Sequence, residues 1–140
     1  MFSKNGKFIT SVKENIEKAR KAFFSLVRKS RQKYIPIDCQ LELFEKCIEP
    51  ILLYGCEIWG FENCKILEKF RMKCYRILLN AKTSTPYYML YGEIGILPLQ
   101  LKIKKRMISY WAKLISLSLD KLSRTLYNIM LNEIENRQAS

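Results

Sequence analysis

At 140 residues, with 25 Lys/Arg against 13 Asp/Glu, the chain carries a formal net charge of +12, and 49% of it is hydrophobic. That is one domain's length with enough apolar residues for a core, which excludes disorder throughout. Five glycines and four prolines leave long stretches unpunctuated and favour helices over a many-turned β fold.

The opening MFSKNGKFIT holds Asn5-Gly6, a strong hairpin signal because both turn residues tolerate positive φ. Only Met1–Lys4 precede it, so either the turn is vestigial or a longer upstream strand has been cut away, and residues 1–10 are expected as a vestigial N-terminal hairpin. Ser11-Val12-Lys13-Glu14 fits a capping box, in which hydroxyl and carboxylate each satisfy a free backbone N–H. Val12, Ile16, Ala19, Phe23 and Val27 then recur at helical steps to about Arg31, predicting an amphipathic helix whose buried face Phe24 and Leu26 widen. Pro36 ends it, since the residue before proline avoids helical angles. Asp38 is expected to cap a second helix carrying Leu41, Phe44, Ile48, Leu52 and Cys56, ending near Gly60. Pro50 kinks it by removing a hydrogen bond and crowding the carbonyl of Lys46, with a buried strand after Pro50 as the alternative.

Asn63 is placed as the cap of a third helix with Leu67, Phe70, Cys74, Ile77 and Leu78 inward, and Lys65, Lys69, Arg71, Lys73 and Arg76 outward. Thr85-Pro86 predicts a cap with proline at the first helical position, opening a short helix from Tyr87 to Tyr91 that stops at Gly92. Pro98 opens another, with Leu99, Ile103, Met107, Trp111 and Leu114 on one side and Lys102, Lys104, Lys105, Arg106 and Lys113 on the other. Asp120 is read as the cap of a last helix bearing Leu122, Leu126, Ile129 and Met130. The predicted fold is all-α: about five amphipathic helices around a kinked apolar one, one helical domain over residues 11–132, and a polar tail over 133–140.

The charge falls in blocks: ten basic against two acidic residues over 1–33, one against six over 34–64, eleven against two over 65–113, and three against three thereafter. Two basic blocks around an acidic one suggest a polyanionic partner, most simply nucleic acid; solvated helix faces are the plainer account. Histidine is absent, which excludes His-dependent triads, and the cysteines lack any Cys-x-x-Cys spacing for zinc. Cys39, Cys47, Cys56, Cys64 and Cys74 are read as small reduced core residues of an intracellular protein, nuclear or cytoplasmic. Asp38 and Asp120 are the only aspartates, so carboxylates clustered for two metal ions are not expected, and Gly92 and Gly95 lack a phosphate loop's spacing. No metal, no cofactor and no catalysis by this chain alone are expected. No membrane is expected either, because no apolar run reaches the ~18 residues needed to span one.

Three segments in order, YGCEIWG (54–60), LEKFRMKCYRILL (67–79) and STPYYMLYGEIGILPL (84–99), resemble a known family. They are similar to the region downstream of the polymerase active site in reverse transcriptases of non-LTR, LINE-like retrotransposons of the jockey or RTE type. FSKNGKF and the basic helix after it resemble that family's end-of-palm hairpin running into its thumb, so the likeness covers roughly Phe2 to Trp111. Cys56, Tyr87 and Ile96 depart from the family's Ser, Asn and Arg. The resemblance implies a thumb and connection fragment of an RNA-directed DNA polymerase, with the catalytic palm and its Tyr-x-Asp-Asp turn upstream in a longer chain. The implied partner is nucleic acid, as template RNA or as RNA–DNA or DNA duplex.

On that reading the first helix lies along the duplex through Lys13, Arg20, Lys21, Arg28 and Lys29, mainly by phosphate contacts. The third helix and the one after Pro98 offer Lys69, Arg71, Lys73, Lys102, Lys105 and Arg106 to template or opposite strand. Tyr87 and Tyr88 either stack on an unpaired base or pack in a small core. Tyr54, Trp59, Tyr91, Gly92 and Gly95 are expected to be structural, with Gly92 as a helix C-cap. Two further readings stand beside this one: a free-standing basic helical nucleic-acid-binding module, and a structural or membrane-surface helical protein.

Overall fold

The structure is a computed structural model that describes residues 8–60 and 64–138. It is all-α, with no strand among the described residues. The elements are α1 (Ile9–Gln32), α2 (Ile37–Leu43), a π-helical segment (Phe44–Ile48), α3 (Glu49–Leu52), α4 (Cys56–Trp59), α5 (Cys64–Leu78), α6 (Tyr87–Ile94), α7 (Leu99–Ser116) and α8 (Leu122–Gln138). No described helix is long and apolar enough to cross a membrane.

α1 starts two residues before the expected capping box. Phe8 is its N-cap and offers no side-chain hydrogen bond, which puts Ser11 inside the first turn. Phe8 to Thr10 therefore belong to this helix start; the rest of the expected hairpin lies outside the described residues. Asp38 likewise sits in the first turn of α2 behind Pro36, where its charge faces the positive end of the helix dipole.

The segment around Pro50 solves its steric problem by widening. The backbone N–H of Glu49 reaches the carbonyl of Phe44, a five-residue step. This π turn lengthens the spacing just where the proline ring would crowd an ordinary ladder, and Pro50 then occupies the first turn of α3. The helix does not run to Gly60. It stops at Leu53–Gly55, where Gly55 takes φ +72°, and α4 begins on a new axis. The Tyr54 carbonyl at this bend accepts hydrogen bonds from Trp59 Nε1 (3.0 Å) and Asn15 Nδ2 (3.1 Å), so α1 and the buried indole fix the corner together. Gly60 matters for a different reason: a Cβ there would lie 2.4 Å from Ile103 Cγ2 and 2.5 Å from the Cys56 carbonyl. Its bare backbone lets α4 press against α7.

The core joins α1, the π segment with α3, α5 and α7. Val12, Ile16, Ala19 and Phe23 meet Phe44, Ile48, Leu52 and Leu53, with Leu67, Met72, Tyr75, Leu99 and Ile103 on the other side. Rings of Phe23 and Phe44 pack edge to face at 5.9 Å, and Phe44 meets Tyr75 at 4.8 Å. Each large side chain so buried is worth roughly 1.5–3 kcal/mol against exposure. Phe24, expected in this face, is instead 56% exposed.

The C-terminal part departs further from expectation. α6 ends at Gly95, in the left-handed region at φ +71°, and not at Gly92, which lies within the helix. α8 continues through the residues expected as a polar tail and packs on α7, where Trp111 Nε1 donates to Tyr127 Oη at 2.8 Å. Cys56 and Cys74 are buried free thiols, whereas Cys39 and Cys47, expected in the core, are exposed ones.

Candidate nucleic-acid interface

The exposed faces of α1 and α5 each carry a cationic stripe. On α1, Arg20, Phe24, Arg28 and Arg31 follow one another at three- and four-residue steps, which places them along one side of the helix. On α5, Lys65, Lys69, Lys73 and Arg76 do the same and span roughly 16 Å at 1.5 Å per residue. α1 and α5 pack against each other, and the stripes border the seam between them.

Two depressions run along that seam. One, of about 420 Å³, is lined by Arg31, Lys69, Lys73, Arg76, Ile77, Asn80, Ala81, Thr83 and Tyr87. The next, of about 80 Å³, is lined by Arg20, Phe23, Phe24, Phe70, Lys73, Cys74 and Ile77. Lys73 and Ile77 belong to both, so the two form one groove. Among the described residues no carboxylate lines either. Arg20 is the one groove cation among the described residues with a close surface partner, Glu17 at 3.4 Å, a pair exposed enough to contribute little and to give way to a phosphate. Arg76 is positioned by the fold: it donates to the Thr85 carbonyl at 2.5 Å, and its guanidinium lies 5.0 Å from the Tyr87 ring centroid. The same contact occupies a face of Tyr87, which is half-buried against the core, while Tyr88 beside it is 72% exposed. At the groove floor, burial pushes the Cys74 thiol up to about 12, against the pull of Lys73 and Arg20, and leaves it a neutral, inert group.

Arg71 departs most from the sequence expectation. Its side chain is fully buried. Nε lies 3.2 Å from Glu49 Oε2, Nη1 lies 3.4 Å from Glu68 Oε1, and Nη1 donates to the Leu97 carbonyl at 2.9 Å. Its guanidinium also sits 5.4 Å from the Tyr75 ring centroid. Burial alone would lower its pKa, but the charges of Glu49 and Glu68 with the Tyr75 contact more than offset this and raise it. Arg71 therefore cannot reach a phosphate; it ties α5 to α3 and to the strand of chain entering α7. Glu68 completes that tie by accepting the Leu99 N–H at 2.5 Å, capping α7.

The remaining candidates divide. Lys102 joins the same acidic cluster, 2.7 Å from Glu49 and 3.6 Å from Glu45, and is largely committed to it. Lys105 and Arg106 are exposed on α7, lining a separate depression with Lys102 and Lys113, but Glu49 and Glu57 line it too. Lys13, Lys21, Arg28 and Lys29 are exposed on α1. Lys29 stands two residues from Arg31, hence on the other side of the helix from the groove. The structure thus brings together Arg20, Lys69 and Lys73 among the expected residues, and adds Arg31, Arg76 and Phe24, which the sequence reading did not select. A signal for Arg31 was present, since it continues the Arg20–Phe24–Arg28 step. The burial of Arg71 also had one: Leu67, Arg71, Cys74 and Leu78 form a single helical stripe.

Among the described residues no group of three or more Cys, Asp or Glu side chains is arranged to hold a metal ion. No family model matches the chain, and no curated protein or solved structure matches it.

Proposed function

We propose that this chain binds nucleic acid through its phosphate backbone at the α1–α5 groove, as the thumb-like part of a retrotransposon reverse transcriptase, without catalysis of its own. The single observation that carries the reading is the groove itself. Arg20 and Arg31 from one helix face Lys69, Lys73 and Arg76 from another, along a concave seam lined by no carboxylate among the described residues. Cations gathered in this way from two elements concentrate positive potential where a phosphate chain can follow it. The sequence resemblance at Tyr54–Gly60, Leu67–Leu79 and Ser84–Leu99 supplies the polymerase part of the proposal.

The motif residues serve the groove indirectly. Gly55, Trp59 and Gly60 set the corner between α3 and α4 and its approach to α7. The Thr85 carbonyl and the Tyr87 ring hold Arg76 at the end of the groove.

The test is fluorescence anisotropy of labelled oligonucleotides over a salt series. About four phosphate contacts predict a log–log slope near −3.6 on duplex DNA or near −2.8 on a single strand. Replacing Lys69 and Lys73 together by Gln should flatten that slope and weaken binding at every sequence. Absence of binding at low salt would refute the proposal. Binding to anionic vesicles in place of oligonucleotides would instead favour a membrane-surface protein.

A further inference from the structure

We infer that the groove takes a single strand rather than a duplex, with a base stacked on Phe24 and the flanking phosphates held by Arg20, Arg31 and Lys73. The inference rests on the nucleic-acid reading above and specifies its ligand. Phe24 is 56% exposed although it lies beside the core residue Phe23 on the same helix. One exposed aromatic is ordinary on a protein surface. Here, however, the ring lines the groove together with Phe70 and Ile77, between Arg20 and Lys73.

The geometry of support matters as well. The Phe24 ring meets the buried Phe23 ring edge-on, at 5.8 Å between centroids and 60° between planes. Phe23 is in turn held by Phe44 at 5.9 Å. The exposed ring is therefore braced by the core, and ordering it on binding costs little side-chain entropy. Arg20 precedes Phe24 by one helical turn and Arg31 follows by two, so cations stand on both sides of the ring along the strand direction.

A duplex has no use for this floor. Its base faces are already stacked inside the helix, and a protein meets it through phosphates, sugars and groove edges. An unpaired strand offers bare base faces at every nucleotide, and an aromatic floor flanked by cations is the arrangement that binds them without sequence preference.

The experiment compares labelled oligo(U), oligo(dT) and a blunt DNA duplex by anisotropy with the wild-type chain, Phe24→Ala, Phe24→Trp and Lys73→Gln. Phe24 is exposed, so Phe24→Ala should fold, which circular dichroism verifies. The expected result is tighter binding of the single strands than of the duplex. Phe24→Ala should weaken single-strand binding by about 5- to 150-fold, the range that base stacking carries, and leave duplex binding unchanged. Phe24→Trp should keep or improve it, and Lys73→Gln should weaken both ligands. Duplex preference with an indifferent Phe24→Ala would overturn the single-strand inference while leaving the cationic groove in place. No binding to any oligonucleotide would overturn both.

Discussion

Arg71 and Glu49 form an ion pair inside the protein, Nε to Oε2 at 3.2 Å, that joins α5 to the short helix after Pro50. Lys102 reaches the other oxygen of the same carboxylate at 2.7 Å, and Glu68 balances the arginine from within α5. Charge that the sequence alone suggests offering to a partner is here spent internally, at the junction of three helices.

This relationship separates two roles of α5 cations experimentally. Arg71→Ala takes the buried cation from Glu49, which keeps only the half-exposed Lys102, and from the partly buried Glu68, and should cost about 3–5 kcal/mol in urea denaturation. Lys69→Ala, on the exposed stripe of the same helix, should leave the urea midpoint nearly unchanged while weakening oligonucleotide binding. An Arg71→Ala loss as small as that of Lys69→Ala would mean that the buried cluster does not support the fold.

Position within the groove should be legible in salt dependence. Each phosphate contact removed lowers the slope of log affinity against log salt by about 0.9 on duplex DNA and about 0.7 on a single strand. Arg31→Gln and Lys73→Gln should each show such a decrement. Lys29→Gln, on the other side of α1 from the groove, should show a smaller one; an equal effect would spread the interface around the helix.

Two glycines should respond in opposite directions to alanine. At Gly60 the added methyl meets Ile103 and the Cys56 carbonyl at 2.4 and 2.5 Å, and overpacking of that kind costs typically about 1–3 kcal/mol. At Gly92 a Cβ meets nothing within 4 Å, and replacing a helical glycine gains about 0.5–1 kcal/mol. Thermal melts of the two variants check both; a destabilising Gly92→Ala would restore the C-cap role that Gly95 holds in the structure.

Alkaline pH should weaken the fold. Burial raises the Cys74 thiol from 9.0 to about 12 and, together with Glu68, raises the Tyr91 phenol from 10.0 to about 12. Folded-state values above the unfolded ones mean that the unfolded chain loses these protons first. Stability is then fully present below about pH 9 and falls as pH rises toward 12. Urea midpoints from pH 7 to 11 measure this, and a Cys74→Ala chain should lose part of the decline. At pH 8, peptide mapping after iodoacetamide should find Cys39 and Cys47 modified and Cys74 protected until denaturant is added.

Much of the architecture was legible before any coordinates. The apolar steps at Val12–Phe23, Leu67–Leu78 and Leu99–Met107 mark helices because only a period near 3.6 puts those side chains on one face. Pro36, Pro86 and Pro98 punctuate them, since a missing N–H and a fixed φ suit the residue ahead of a helix. Boundaries were less legible. Phe8 heads α1 in place of Ser11, and Gly95 ends α6 in place of Gly92, because several residues near each end are locally competent and packing selects among them.

Composition and periodicity by themselves determined an all-α, strongly basic chain and which residues share a helical face. Tertiary structure alone decided which faces meet. It turned Arg71 inward, because Glu49, twenty-two residues earlier, meets it there beside Glu68 of its own helix. It left Phe24 outside, and it assembled the groove from Arg20 and Arg31 on one helix with Lys73 and Arg76 more than forty residues later. A helix period is a local property of the backbone; whether a long cation on the border of a face is solvated or paired depends on the charge that another helix brings to it.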